Sequence, residues 1–290
     1  MHERDVEHIS VSEIREYFSC PLRWWYRYRL GLWTDKTAAF FALGTSVHAG
    51  LAGWYAPLHG GKLTGDVGLA YRQYDKAFAE ESAKVDWANE KNADPIDQNT
   101  LGRTMLEAAI YEGDDWNGKH IEHTMFADIT HSKLGKLPIK LKAGVDLLLD
   151  TNDVVEHKTA SKKWEEGREH GDIQATAYTI AVRQNYDHNP TVTFNIISKN
   201  AKGPVIDRRV TTRDQGAIDR LYTQARVVLN AMESGIVYPN PTAFAHATCE
   251  YKEACNRWES HPQQLPQTEQ GIKKLLPMVR ISDNLRGRLK

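Results

Sequence analysis

Apolar positions in the first part of the chain recur at helical spacing. Ser10 and Glu13 form a capping box, and Ile14, Tyr17 and Phe18 share one face, so a helix is predicted over 10–18. Cys20-Pro21 interrupts it, because proline cannot continue the hydrogen-bond ladder, and a second helix is expected from Leu22 to Arg29. An alanine-rich apolar helix follows at roughly 37–55, then the glycine pair Gly60-Gly61, then helices at about 66–85 and 99–116. From about His120 the period changes to two, which is the strand signature, and strands at 121–129 and 137–141 lead into a hairpin. In that hairpin Val145, Leu147 and Leu149 alternate with Asp146 and Leu148, Asp150 to Asp153 turns, and Val154-Val155 starts the return strand. A helix at 172–185, strands at 191–198 and 205–211, and a long helix at 214–234 complete the pattern.

Strands, helix, strands is the pattern of an α/β fold, with a sheet flanked by helices and a helical part in front. One domain is expected over 1–258, made of a helical part (10–118), an α/β core (119–235) and a cysteine-bearing loop (236–258). Residues 259–290, with Pro262, Gln263, Gln264 and Pro266, are expected to be a mobile tail. At 290 residues, 41% hydrophobic and 26% charged, the chain can bury a real core and is not disordered in composition. A net charge of −1 leaves no global basic signature, so any nucleic-acid contact must come from local patches. The polar start, the absence of a membrane-length apolar run and only three cysteines point to a cytoplasmic protein without membrane contact or a disulfide framework.

The hairpin carries the candidate chemistry. Along its second strand Glu156 and Lys158 project to one side and His157 to the other, and pairing can bring Asp146 to the Glu156 side. Two carboxylates and an ammonium half-buried in a sheet are costly unless compensated. A hard divalent cation is one compensation; a plain ion pair on an exposed hairpin face is the other. Further candidates are His48 on the alanine-rich helix, Gln174 with Tyr178 one helical turn apart, and His246, Cys249 and Cys255 with Cys20 far upstream. Arginines and aromatics interleave between Leu22 and Arg29, which suits either a base-stacking surface or an amphipathic helix with the rings inward.

Taken in order, Gly44…His48, Gly144-Val145-Asp146, Glu156-His157-Lys158 and Gln174…Tyr178 resemble the motifs GxxxH, GxD, (D/E)xK and QxxxY of the RecB-like PD-(D/E)XK nucleases. The resemblance runs from about Ser10 to Trp258 and implies a restriction-endonuclease-like core with a mixed sheet. It implies a metal-dependent DNA exonuclease acting on single-stranded or duplex ends in recombination, repair or phage replication. A CRISPR-adaptation nuclease with an integrase partner and a non-catalytic DNA-binding scaffold are the competing readings. In the roles it implies, Asp146, Glu156, the His157 carbonyl and His48 hold Mg2+ or Mn2+. Lys158 positions the attacking water or steadies charge, and Gln174 and Tyr178 brace the site. Small members carry four cysteines that bind a [4Fe–4S] cluster. Here Cys20, Cys249 and Cys255 stand with His246 at the remaining position, a set that also suits Zn2+. Arg23, Arg27, Lys140, Lys162, Lys163, Arg208 and Arg209 are the candidate DNA contacts, Glu122 is expected on the surface or as a further carboxylate at the site, and homo-oligomer or recombination partners stay open.

Overall fold

The computed structural model describes residues 7–58, 62–63, 65–90, 93–112, 116–243, 246, 249–258, 268–276 and 279–287. The Gly60-Gly61 pair, the first residues of the chain and the Pro262 to Pro266 stretch lie outside them. The elements begin with β1 (His8–Ser10), α1 (Val11–Ser19), α2 (Pro21–Trp24) continued by a π-helical turn (Trp25–Arg29), and β2 (Leu32–Thr34). Next come α3 (Ala39–Tyr55), β3 (Pro57–Leu58), β4 (Lys62–Leu63), α4 (Val67–Ser82) and α5 (Pro95–Tyr111). The strand region holds β5 (Gly118–His131), β6 (Gly135–Leu149), β7 (Val154–Ala160), α6 (Arg168–Gly171), α7 (Ile173–Tyr186), β8 (Val192–Ser198) and β9 (Val205–Thr211). Then follow α8 (Gln215–Glu233), α9 (Lys252–Asn256), α10 (Glu269–Leu275), β10 (Val279–Ile281) and α11 (Asp283–Arg286).

Two of the boundaries that differ from expectation have local reasons. The residues of 137–141 belong to the same strand as the hairpin, because Leu137, Ile139, Leu141, Ala143, Val145 and Leu147 stay buried on one face without a break. Helix α5 starts at Pro95 rather than 99, since Asp94 accepts from the N–H groups of Ile96 and Asp97 and proline suits the first turn.

The chain forms two compact units, each discontinuous in sequence. The first comprises the described parts of 1–36, 129–141 and 219–290. Its core joins Leu22, Tyr26 and Leu32 to Tyr251, Ile272, Leu276, Val279, Ile281 and Leu285. Residues 268–276 and 279–287 are therefore no mobile tail: β10 pairs antiparallel with β2, setting Val279 opposite Thr34 and Ile281 opposite Leu32. Burying aliphatic side chains of this kind yields about 1.5–3 kcal/mol each, enough to hold short elements that could not stand alone. The turn before β2 needs Gly31, whose φ is +67° and whose added Cβ would lie 2.2 Å from Ser282 Oγ.

The second unit comprises 37–128 and 142–218. Its strands run in the order β6-β7-β8-β9, with β5 also on β6. Strands β7 and β8 are parallel, while β6–β7 and β8–β9 are antiparallel, so the sheet is mixed as expected. One sheet face, through Leu147, Val155 and Ile197, packs on Leu43, Val47 and Leu51 of α3, Tyr74 of α4 and Leu106 of α5. The alternation that buries Val155 there turns Glu156 and Lys158 to the opposite face, against α7. No helix among the described residues is long and apolar enough to cross a membrane.

Candidate active site

The β6–β7 ladder pairs Leu148 with Val154 and Leu147 with Val155. One step further the strands fork, and the Asp146 carboxylate takes the His157 N–H at 2.7 Å in place of a main-chain partner. On the other side the same oxygen lies 3.3 Å from His48 Nδ1. Helix α3 presents His48 there because it approaches β7 closely at Gly44, where a Cβ would sit 3.0 Å from Thr159 Oγ1. Burial works against ionising Asp146, yet His48 and the His157 N–H outweigh it and hold the carboxyl below its ordinary range. Burial also disfavours a charged His48, and the Asp146 carboxylate more than offsets that, so the imidazole is raised.

Glu156 is embedded in donors. Its Oε1 accepts from Lys158 Nζ at 2.5 Å and from Gln174 Nε2 at 2.7 Å, and its Oε2 from the Tyr178 hydroxyl at 2.5 Å. Lys158 also donates to Gln174 Oε1 at 2.8 Å. Burial, then the Asp146 charge, push Glu156 up to about 7 in spite of Lys158 and Tyr178. The surroundings thus favour the ionised form of Asp146 and the protonated form of Glu156.

Among the described residues one set of three or more His, Cys, Asp or Glu side chains brings its ligand atoms within 4.8 Å of one another: His48, Glu122 and Asp146. Glu122, expected on the surface with a further carboxylate for the site as the alternative, is one of the three. It is exposed, but its backbone stands at φ +48°, a left-handed conformation that costs about 1–3 kcal/mol in a non-glycine residue and concentrates at functional sites. An imidazole and two carboxylates suit a divalent cation of the Mg2+ or Mn2+ type. Glu156 is not in that set, because its oxygens are turned to Lys158, Gln174 and Tyr178.

The His157 ring lies on the side opposite Glu156 and Lys158, as the alternation predicts, stacked on Tyr55 with centroids 5.8 Å apart, and burial lowers it to about 4. One position escaped the sequence pattern. Arg213, also buried, donates to the carbonyls of Glu169, Asp172 and Thr212 and to the hydroxyls of Thr176 and Thr211. It thereby fixes the start of α7, which Asp172 caps through the Gln174 N–H.

Of the remaining candidates, Arg23 and Arg27 both pair with Glu16 and Glu250 in one ion-pair network. Arg208 donates to the Glu112 carbonyl and lies over Trp116, and Arg209 pairs with Asp207. Lys140, Lys162 and Lys163 are exposed. Cys20, His246, Cys249 and Cys255 line one pocket with Tyr26 and Tyr251. The three cysteines are free thiols, and burial pushes Cys249 up to about 11. No three of the four ligand atoms approach within 4.8 Å of one another, which is looser than a tetrahedral zinc site requires.

A family model described as the PD-(D/E)XK nuclease superfamily matches residues 8–256. The crystal structure of a Eubacterium rectale protein named "Putative exonuclease" aligns with a TM-score of 0.55 at 14% identity, over 88% of this chain and 89% of that one, a likeness of fold. The solved structure of SSO0001 aligns over 74% of this chain and 85% of its own at 13% identity, with a TM-score of 0.32 too low to carry an argument. No curated protein matches the sequence.

Proposed function

The chain belongs to the PD-(D/E)XK nuclease superfamily, and we propose that it is a RecB-like, divalent-metal-dependent deoxyribonuclease hydrolysing phosphodiester bonds at DNA ends, favouring single-stranded DNA. The observation that carries this is the meeting of His48, Glu122 and Asp146 beside the Glu156–Lys158 pair. His48, Glu122 and Asp146 would hold the ion. The His157 carbonyl would join them, since an extended residue turns its N–H and C=O to one edge and the N–H here meets Asp146. A divalent cation supplies charge neutralisation at the phosphate and a lowered pKa for water.

The chain's own groups do the rest. Lys158 brings a positive charge to the side where negative charge grows on the phosphate. Glu156 would accept the proton of the attacking water or be drawn toward the cation, and Gln174 and Tyr178 hold it in line. Lys162 and Lys163, exposed just after β7, are proposed phosphate contacts; such contacts weaken steeply with salt. The role in recombination, repair or phage replication rests on the motif resemblance.

We further propose that the pocket of Cys20, His246, Cys249 and Cys255 takes a structural [4Fe–4S] cluster, a reading supported by four donors on one pocket. Iron and acid-labile sulfide assays on anaerobically purified protein test it, and stoichiometric zinc would replace it. The activity is tested by digesting end-labelled single- and double-stranded DNA with Mg2+ and then Mn2+. Asp146→Ala and Lys158→Ala are expected to abolish cutting with DNA binding near normal. Full cutting by either variant would remove the mechanism.

A further inference from the structure

Helix α3 carries more than His48 toward the site. Phe40 and Phe41, in its first turn, are 64% and 61% exposed, the rings adjacent with centroids 4.2 Å apart. Exposed large rings in a helix that otherwise buries its apolar face call for an explanation. At about 100° per residue, Phe40 and Phe41 fall on either side of the line through Gly44 and His48. The four therefore fall within one helical sector, in which Phe40, Phe41 and the neighbouring Thr45 are exposed and Gly44 and His48 are half-buried.

The ring pair stands on a fixed base. Ala39 and Ala42 pack against Val85 with Trp87, and the Glu90 carboxylate takes the Ala39 N–H at 2.8 Å. At about 1.5 Å per residue, Phe40 lies about 12 Å along the axis from His48. That is the length of roughly three or four nucleotides at the 3.4 Å rise of a B-DNA strand, fewer in an extended one. Between the rings and His48 the helix meets β7 at Gly44, where an added Cβ would lie 3.0 Å from Thr159 Oγ1, while Thr45 beside it is exposed.

We propose that Phe40 and Phe41 form a base-stacking platform for the single-stranded end of a DNA substrate, gripping unpaired bases within about four nucleotides of the bond to be cut. This rests on the nuclease reading, and it names what the site holds besides a phosphate. Stacking is indifferent to base identity because every base has a π-face, which suits a nuclease without sequence preference.

The test measures anisotropy of a labelled twelve-nucleotide oligodeoxythymidylate in EDTA, so that hydrolysis does not enter. A single abasic site is moved along the strand, and wild type is compared with the Phe40→Leu/Phe41→Leu and Phe40→Tyr/Phe41→Tyr double variants. Wild type is expected to lose about five-fold or more in affinity when the abasic site falls in the gripped window. The leucine variant should bind the intact strand more weakly and ignore the abasic site; the tyrosine variant should behave as wild type. An abasic response shared by the leucine variant overturns the proposal. So does unchanged DNA binding accompanied by loss of a dimer in sedimentation, which would make the rings a contact between copies. If the abasic response is ring-dependent but no metal supports cutting, the nuclease reading fails and the platform stands. Intact cutting with no ring dependence is the reverse.

Discussion

Glu156→Gln is expected to stabilise the metal-free protein while destroying its activity. Glu156 is 3% exposed, and burial together with Asp146 raises its carboxyl from 4.5 to about 7. Below the unfolded value both states are protonated and the group is neutral to stability. Between the two values only the unfolded chain ionises, so stability falls as pH rises, reaching its full loss above the folded value. The gap between those two values corresponds to about 3 kcal/mol at pH 8. Glutamine resembles the protonated acid in shape and keeps an acceptor for Lys158 and Gln174. It loses the hydrogen bond from Tyr178, at about 1 kcal/mol. The net gain is therefore about 2 kcal/mol at pH 8, or roughly 4–8 °C in Tm for a chain of this size. At pH 5 the gain should vanish. The assay is urea and thermal unfolding of both proteins in EDTA at the two pH values, with DNA digestion alongside. A variant less stable than wild type at pH 8, or an equal difference at both pH values, would refute the reasoning. Such a trade of stability for a charged site is common where chemistry needs buried like charges.

Arg213→Ala should cost about 3–5 kcal/mol in urea unfolding, because several buried acceptors lose their donor, and Arg213→Lys should recover little, lacking the planar fork. A loss under about 1 kcal/mol would show that Arg213 does not secure α7. Mn2+ at a hundred times its Kd should stabilise wild type by about 2.7 kcal/mol. Glu122→Gln should shift that curve to higher Mn2+, and an unshifted curve would take Glu122 out of the ion site. Ile281→Ala should cost about 2–5 kcal/mol by opening the first unit's core. A change below about 0.5 kcal/mol would mean that the C-terminal strand does not contribute to folding.

The alternation of Val155, Glu156, His157 and Lys158 determined from sequence alone which side chains share a face, because a strand's side-chain period is two whatever surrounds it. The i,i+4 spacing did the same for Gln174 and Tyr178, and for Gly44 and His48. The C-terminal elements were not read from the sequence: Ile272, Leu275 and Leu276 stand at helical spacing and Val279 and Ile281 alternate, but the proline and glutamine before them suggested a tail. What local pattern could not reveal depends on partners distant in sequence. Glu122 joins the site through a neighbouring strand and an unusual backbone angle, and Arg23 and Arg27 find Glu250 more than 220 residues away. Glu156 turns to Lys158, Gln174 and Tyr178 instead of the Asp146 cluster because burial makes every donor count. Periodicity is a property of the chain, whereas ligand sets and ion pairs are properties of the packing, and only the tertiary structure decides them.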